Sequence, residues 1–313
     1  MGEPRRLEGR VALVAGATRG AGRAIAVELA RAGAYVYATG RSSRVHGPSE
    51  LDRPETIEET GQLMLAAGGQ GQALRVDHLE PLEVEALVER VAAQQGRLDL
   101  LVNDIFGGDR YAQWDKPLWQ HDLAGGLRML RMGLDTHLIT LTKALPLMLE
   151  GESGMVVEMT DGTQSFNAAF RQNVGFYYDL VKAGVDRIVK GLTFELKGRP
   201  VFALAVTAGW LRSEMMLEKF GVREENWRDA CQELPGFGIS ESPTYVARGV
   251  AALAGDAEAS RYAGQTLTAR QLSDTYGVVD ADGSRPDCWG LLDAFGEGFE
   301  EAEGIAEAIK AFR

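Results

Sequence analysis

The stretch "VALVAGATRGAGRAIAVELA", residues 11–30, decides the fold. A short apolar run reaches Gly16, and Gly20 and Gly22 follow at the spacing G-x-x-x-G-x-G before a segment with helical periodicity. The context is strand, turn, helix. Gly16 permits a tight turn out of the strand, and the later glycines remove Cβ atoms that would keep a pyrophosphate from the unpaired N–H groups at the helix start. The pattern differs from G-x-G-x-x-G but sits where a dinucleotide-binding loop belongs.

Outward from this loop, apolar strands alternate with longer periodic helices: AYVYAT with TIEETGQLMLAA, QALRVD with PLEVEALVERVAAQ, then LDLLVND, GMVVEMT and PVFALAV with the long helix through KAGVDRIVKGLTFELK. Strands that are apolar on both faces, each followed by a helix, predict a parallel sheet covered on two sides. We therefore expect an α/β, doubly wound (Rossmann-type) sheet in one domain, residues 1–270, with a C-terminal helical extension, 271–313, packed on it. Ligands in such sheets bind at the carboxyl ends of the strands.

Composition narrows the function. The 313 residues are 45% hydrophobic and 25% charged, which suits a globular protein with a sizeable core. A formal charge of -12 without a basic patch disfavours nucleic acid. No run of about 18 apolar residues predicts a membrane span, and the N-terminal segment lacks the apolar core of a secretory signal. Cys231 and Cys288 stand far apart without C-x-x-C spacing, so neither a disulfide framework nor a zinc site is expected, and a cytoplasmic location fits. His46, His78, His121 and His137 have no ligand spacing, so no metal is expected and structural roles are.

Two arginines bear on the cofactor. The second strand ends in AYVYATGRSSR, where an Asp or Glu would meet a free ribose 2'-hydroxyl; instead Arg41 follows the strand and Arg19 sits in the glycine loop. Two guanidinium groups suit a 2'-phosphate, which favours NADP, with NAD retained as an alternative. Farther on, Tyr178 and Lys182 in YYDLVK are four residues apart, one helical turn. A neighbouring cation is expected to lower the phenol from its usual value of about 10, preparing it for proton transfer.

The glycine loop and Y-x-x-x-K, in this order and on these elements, resemble the short-chain dehydrogenase/reductase family over roughly residues 8 to 270. The resemblance implies that Gly16, Thr18, Arg19, Gly20, Gly22 and Arg41 line the phosphates and adenosine, that Asp77 meets the adenine, and that Asn103 survives from the family's N-N-A-G. It implies Tyr178 as acid or base, Lys182 as its tuner and the holder of the nicotinamide ribose, and Gly209 and Ser213 in place of the family's P-G glycine and its Thr. There are departures. Ala15 replaces a Thr, Ala208 a Pro, and Asp104, Ile105 and Phe106 replace N-A-G; Gly133 stands where many members carry a relay asparagine. Thr160 and Asp161 fall where a Ser-Ser pair is common, and the loop to Tyr178 is about five residues longer, so Thr163 and Ser165 compete for the serine's role. Thr160 is taken first.

A bulky, partly apolar carbonyl or alcohol is the expected substrate, since Trp114, Trp119, Trp210 and Trp227 lie in loops after strand ends, where they either line a pocket or pack loops and subunits together. A homodimer or homotetramer is expected. The expected activity is NADP-dependent hydride transfer. An inactive dinucleotide-binding regulator, or an epimerase or dehydratase using the nucleotide transiently, are the alternatives.

Overall fold

The computed structural model describes residues 6–114, 116–171 and 173–313. Strand β1 (Val11–Ala15) is followed by helix α1 (Gly20–Arg31), β2 (Tyr35–Gly40), α2 (Ile57–Ala66), β3 (Gln70–Arg75), α3 (Pro81–Gln95) and β4 (Leu100–Asn103). Helices α4 (Leu123–Leu130) and α5 (Thr136–Leu149) lead to β5 (Gly154–Thr160), then come α6 (Gln164–Ala168), α7 (Phe176–Glu195), β6 (Val201–Thr207) and α8 (Glu214–Lys219). The chain continues through α9 (Pro243–Ala254), β7 (Thr266–Thr268), α10 (Ala269–Tyr276), α11 (Cys288–Phe295) and α12 (Ile305–Ala308).

The strands form one parallel sheet of seven in the order β3-β2-β1-β4-β5-β6-β7. Chain order reverses between β1 and β4, and a crevice opens there at the strands' carboxyl ends. Alternation along each strand supplies both core layers. In β1, Ala12 and Val14 face Ile25, Leu29 and Val250, while Val11 and Leu13 face Val84, Val91 and Leu141. Every residue of β1 is therefore buried, which is why the run reads as continuously apolar.

β7 is three residues long, too short for a period-2 signal, and the sequence reading did not mark it. Helix α10 runs through residue 270, so the tail leaves the body beyond Gly277. The tail packs Leu291, Phe299, Ile305 and Ile309 with Ile239 and Trp210, beside the loop that follows β6. Among the described residues, no helix is long and apolar enough to cross a membrane.

Candidate active site

The glycine loop is built by close contacts. Gly16 has φ +91°, and a Cβ there would lie 2.4 Å from the Asp104 carbonyl, so only glycine fits the turn. Gly20 has φ +57° and open space around it, leaving the start of α1 approachable. At Gly22 a Cβ would lie 2.4 Å from the Gly16 carbonyl and 2.8 Å from Asp104 Oδ2, so its smallness seats the helix against the loop. A carboxylate already occupies the helix start. The Gly20 N–H donates to Glu214 Oε2 at 2.9 Å, and Glu214 also stands 3.5 Å from Arg23, as expected where unpaired N–H groups favour an anion.

One cleft of about 530 Å³ joins this loop to the Tyr-Lys helix. Gly16, Thr18, Arg19, Gly20, Arg41, Asp77, Tyr178, Lys182 and Ser213 all line it. Gly22, Asn103, Thr160 and Gly209 are not among the residues that line it. Asn103 is fully buried and donates through Nδ2 to Glu158 Oε1 at 2.8 Å. Glu158 in turn holds His137 Nδ1 at 2.5 Å, and His137 Nε2 meets the Ile105 carbonyl at 2.9 Å. This buried trio fastens the loop carrying Asp104, Ile105 and Phe106. Burial opposes a charged imidazole, but the charge and hydrogen bond of Glu158 outweigh it and raise the His137 pKa.

The glycine-loop end of the cleft is rich in guanidinium groups. Arg19, Arg41, Arg53 and Arg110 line the cleft; the last two carry no motif and escaped the sequence reading. Arg41 Nη1 donates to Glu50 at 2.9 Å and lies 3.8 Å from Asp77. Arg19 Nη1 is buried without a hydrogen-bond partner, with Glu55 no nearer than 3.9 Å. An unsatisfied buried guanidinium nitrogen beside the start of α1 is the observation that fits a phosphorylated ligand.

At the other end, Tyr178 and Lys182 occupy the first turns of α7. Lys182 Nζ sits 3.9 Å from the Phe106 ring centroid and 5.3 Å from that of Tyr178. Phe106 and Trp114 pack on the Tyr178 ring at 5.6 and 5.4 Å, so Trp114 belongs to the site. Trp210 and Trp227 instead pack on Phe237. Burial lowers the Lys182 pKa against the pull of Asp161, Asp109 and Asp104.

The Tyr178 phenol is not lowered, contrary to expectation. Burial first, then the charges of the Asp161 and Asp109 carboxylates, push it well above its ordinary value, and the bond that Tyr178 Oη donates to Asp161 Oδ2 at 2.9 Å adds to this. Asp161 is thus the residue at the phenol. Thr160 Oγ1 donates to the Lys182 carbonyl at 3.1 Å and braces the helix from behind. Thr163 caps α6 through a bond from the Phe166 N–H at 3.2 Å, and its hydroxyl pairs with Ser165 at 3.1 Å. Gly133 lies in a π-helical turn, Arg131–Asp135, where a Cβ would meet Val181 Cγ1 at 2.4 Å. An asparagine has no room there.

A sequence profile of the short chain dehydrogenases matches residues 10–221. The chain belongs to the short-chain dehydrogenase/reductase family. It is 30% identical over 282 residues to mouse dehydrogenase/reductase SDR family member 1, covering 88% of this chain and 85% of that protein. It is 28% identical to a 3-oxoacyl-acyl-carrier-protein reductase of Vibrio cholerae, over 83% of this chain and 96% of the relative. A short-chain dehydrogenase/reductase from Serratia marcescens superposes with a TM-score of 0.67 at 23% identity, covering 84% of this chain and 97% of that one. Membership makes the chain an NAD(P)-dependent dehydrogenase/reductase, an oxidoreductase of the Rossmann fold.

Proposed function

We propose that this short-chain dehydrogenase/reductase is NADP-dependent and interconverts a carbonyl and an alcohol, with Tyr178 as general acid or base and Lys182 as its electrostatic partner. The observation that carries the reading is that the glycine loop, the arginine cluster and the Tyr178–Lys182 pair line the same cleft. Gly20 and the start of α1 would hold the pyrophosphate, Arg19 and Arg41 the 2'-phosphate, Asp77 the adenine, and Lys182 and Ser213 the nicotinamide end. When bound, the dinucleotide supplies or takes up the hydride.

The chain's own residues do the rest. Tyr178 Oη carries the proton that reaches the substrate oxygen on reduction, and accepts it on oxidation. Lys182 stabilises the phenolate left behind. Phe106 and Trp114 fix the phenol ring and exclude water from its faces.

NADPH consumption over a panel of ketones and aldehydes tests the reading. Turnover with at least one carbonyl, abolished in Lys182→Met, is expected. A second reading, dinucleotide binding without catalysis, draws support from the bond that ties the Tyr178 hydroxyl to Asp161; it predicts tight NADPH binding and no consumption with any carbonyl.

A further inference from the structure

Family serines at the end of β5 are hydroxyl donors, whereas Asp161 at that place is a carboxylate. Its surroundings determine what it can bond. Arg171 Nη1 stands 3.4 Å from Asp161 Oδ2, and the Arg171 side chain is only 4% exposed against 40% for Asp161. The guanidinium lies between the Phe166 and Tyr178 rings, 5.3 and 5.5 Å from their centroids. From behind, its Nε faces Asp179 at 3.6 Å, and its backbone N–H donates to the same carboxylate at 3.0 Å. Arg171 Nε and Nη2 are buried without a hydrogen-bond partner. The assembly is closed by the tail: Trp289 packs on Phe166 at 5.3 Å and donates its indole N–H to the Ala208 carbonyl at 2.8 Å.

The buried Arg171 guanidinium faces the Asp161 carboxylate and holds it beside the phenol as a hydrogen-bond acceptor. An ionised carboxylate only accepts hydrogen bonds. It therefore cannot do what a serine does for a plain ketone, namely donate to the carbonyl oxygen. Both of its bonds run to Oδ2, one of them from Tyr178 itself. For Tyr178 to offer its proton to a substrate, that bond must be given up, and the carboxylate then keeps only Arg171 unless another donor takes the phenol's place beside the reacting oxygen.

We infer that Asp161, held by Arg171, is a specificity residue that selects α-hydroxy ketones, and vicinal diols in the reverse direction, by accepting a hydrogen bond from the hydroxyl next to the reacting carbon. The inference rests on the oxidoreductase reading above and names its substrate class. The substrate hydroxyl takes the place of the phenol at Asp161, which frees the Tyr178 O–H for the carbonyl oxygen. Asp161 is not consumed: the hydroxyl keeps its proton, and on reduction the carbonyl carbon gains hydride while its oxygen gains the Tyr178 proton. A hydroxyl donor satisfies the carboxylate without adding charge to a site where Lys182 already faces Asp161, Asp109 and Asp104, and Arg171 faces Asp161 and Asp179.

The test compares α-hydroxyacetophenone with propiophenone, which differ by a hydroxyl in place of a methyl, using NADPH and the full chain. The ratio of their kcat/KM values is measured in the wild type, Asp161→Ser and Asp161→Asn; taking it relative to the variants removes the intrinsic difference in reactivity. A hydrogen bond to a charged, partly solvated group predicts a ratio about 10- to 100-fold higher in the wild type than in Asp161→Ser. Propiophenone turnover rises in Asp161→Ser, because a donor has been restored. Circular dichroism and NADPH binding establish that the variants fold, and Asp161→Asn keeps the shape if serine does not. A ratio equal within about twofold in all three proteins overturns the inference and leaves the oxidoreductase reading standing, as does reduction of plain ketones with none of α-hydroxy ketones. Binding of NADPH without consumption across the whole carbonyl panel overturns the oxidoreductase reading and, with it, this one.

Discussion

Asp104 occupies the centre of the site, between the glycine loop and Lys182, and its replacement by asparagine gives a prediction with a sign and a size. Burial raises its carboxyl from 3.8 to about 7, against the opposing pull of Lys182 and the Gly22 N–H. A carboxyl whose folded value lies above its unfolded value favours folding fully only below the unfolded value. That contribution shrinks as pH rises through the interval and is gone above the folded value. For Asp104 the loss runs from about pH 4 to about pH 7, and a shift of roughly 3 units amounts to about 4 kcal/mol. The amide introduced by Asp104→Asn does not titrate, and the groups common to both proteins cancel in the difference. Chemical denaturation of the two cofactor-free proteins should therefore show the variant gaining about 2.5 kcal/mol on the wild type between about pH 5 and pH 8. A stability difference that does not change with pH would refute the reasoning, since it would mean that Asp104 is solvated or firmly paired.

Three further outcomes follow from named contacts. Arg41→Ala should weaken NADPH binding, measured by fluorescence titration, while leaving NADH unchanged. A hydrogen bond to a charged group spans about 10- to 100-fold, and because Glu50 already shares Arg41 at 2.9 Å the loss should be near tenfold; an equal loss for both cofactors would contradict the 2'-phosphate assignment. Glu214→Gln removes the carboxylate that occupies the Gly20 N–H, so NADPH should bind about two- to fivefold more tightly, and weaker binding would show that Glu214 supports the site instead. Gly133→Asn, which restores the family's residue, should lower stability by about 1–3 kcal/mol in thermal or urea unfolding, because its Cβ would meet Val181 at 2.4 Å; an unchanged midpoint would mean that the π-helical turn yields freely.

The elements that were legible in the sequence are those with a strong local pattern. Buried parallel strands read as apolar runs, and α7 places Tyr178 and Lys182 by a spacing that follows from helix geometry alone. What was illegible depends on long-range placement. Thr160 and Asp161 are adjacent, and the bend just past the end of β5 decides that the Thr160 hydroxyl turns back onto the Lys182 carbonyl while the Asp161 side chain faces the phenol. Arg171 carries no motif and is drawn to the site by the loop between α6 and α7. Arg53 and Arg110 line the cleft, and Glu214, the first residue of α8, meets the Gly20 N–H, on segments whose course no periodicity announces. Asn103 matched a family position, yet the His137–Glu158 pair beneath it, on separate elements, turns its amide away from the cleft. The phenol's raised pKa comes first from burial and then from Asp161, 17 residues away, and neither was visible from the Tyr-Lys spacing.

The central claim is that Tyr178 delivers the proton in a cleft that binds the dinucleotide independently of that hydroxyl. Tyr178→Phe, assayed for NADPH affinity and for turnover on the same preparation, tests it most directly. The account predicts an NADPH Kd within about twofold of the wild type and a fall in kcat of about 100-fold or more. Full turnover in the variant would contradict it.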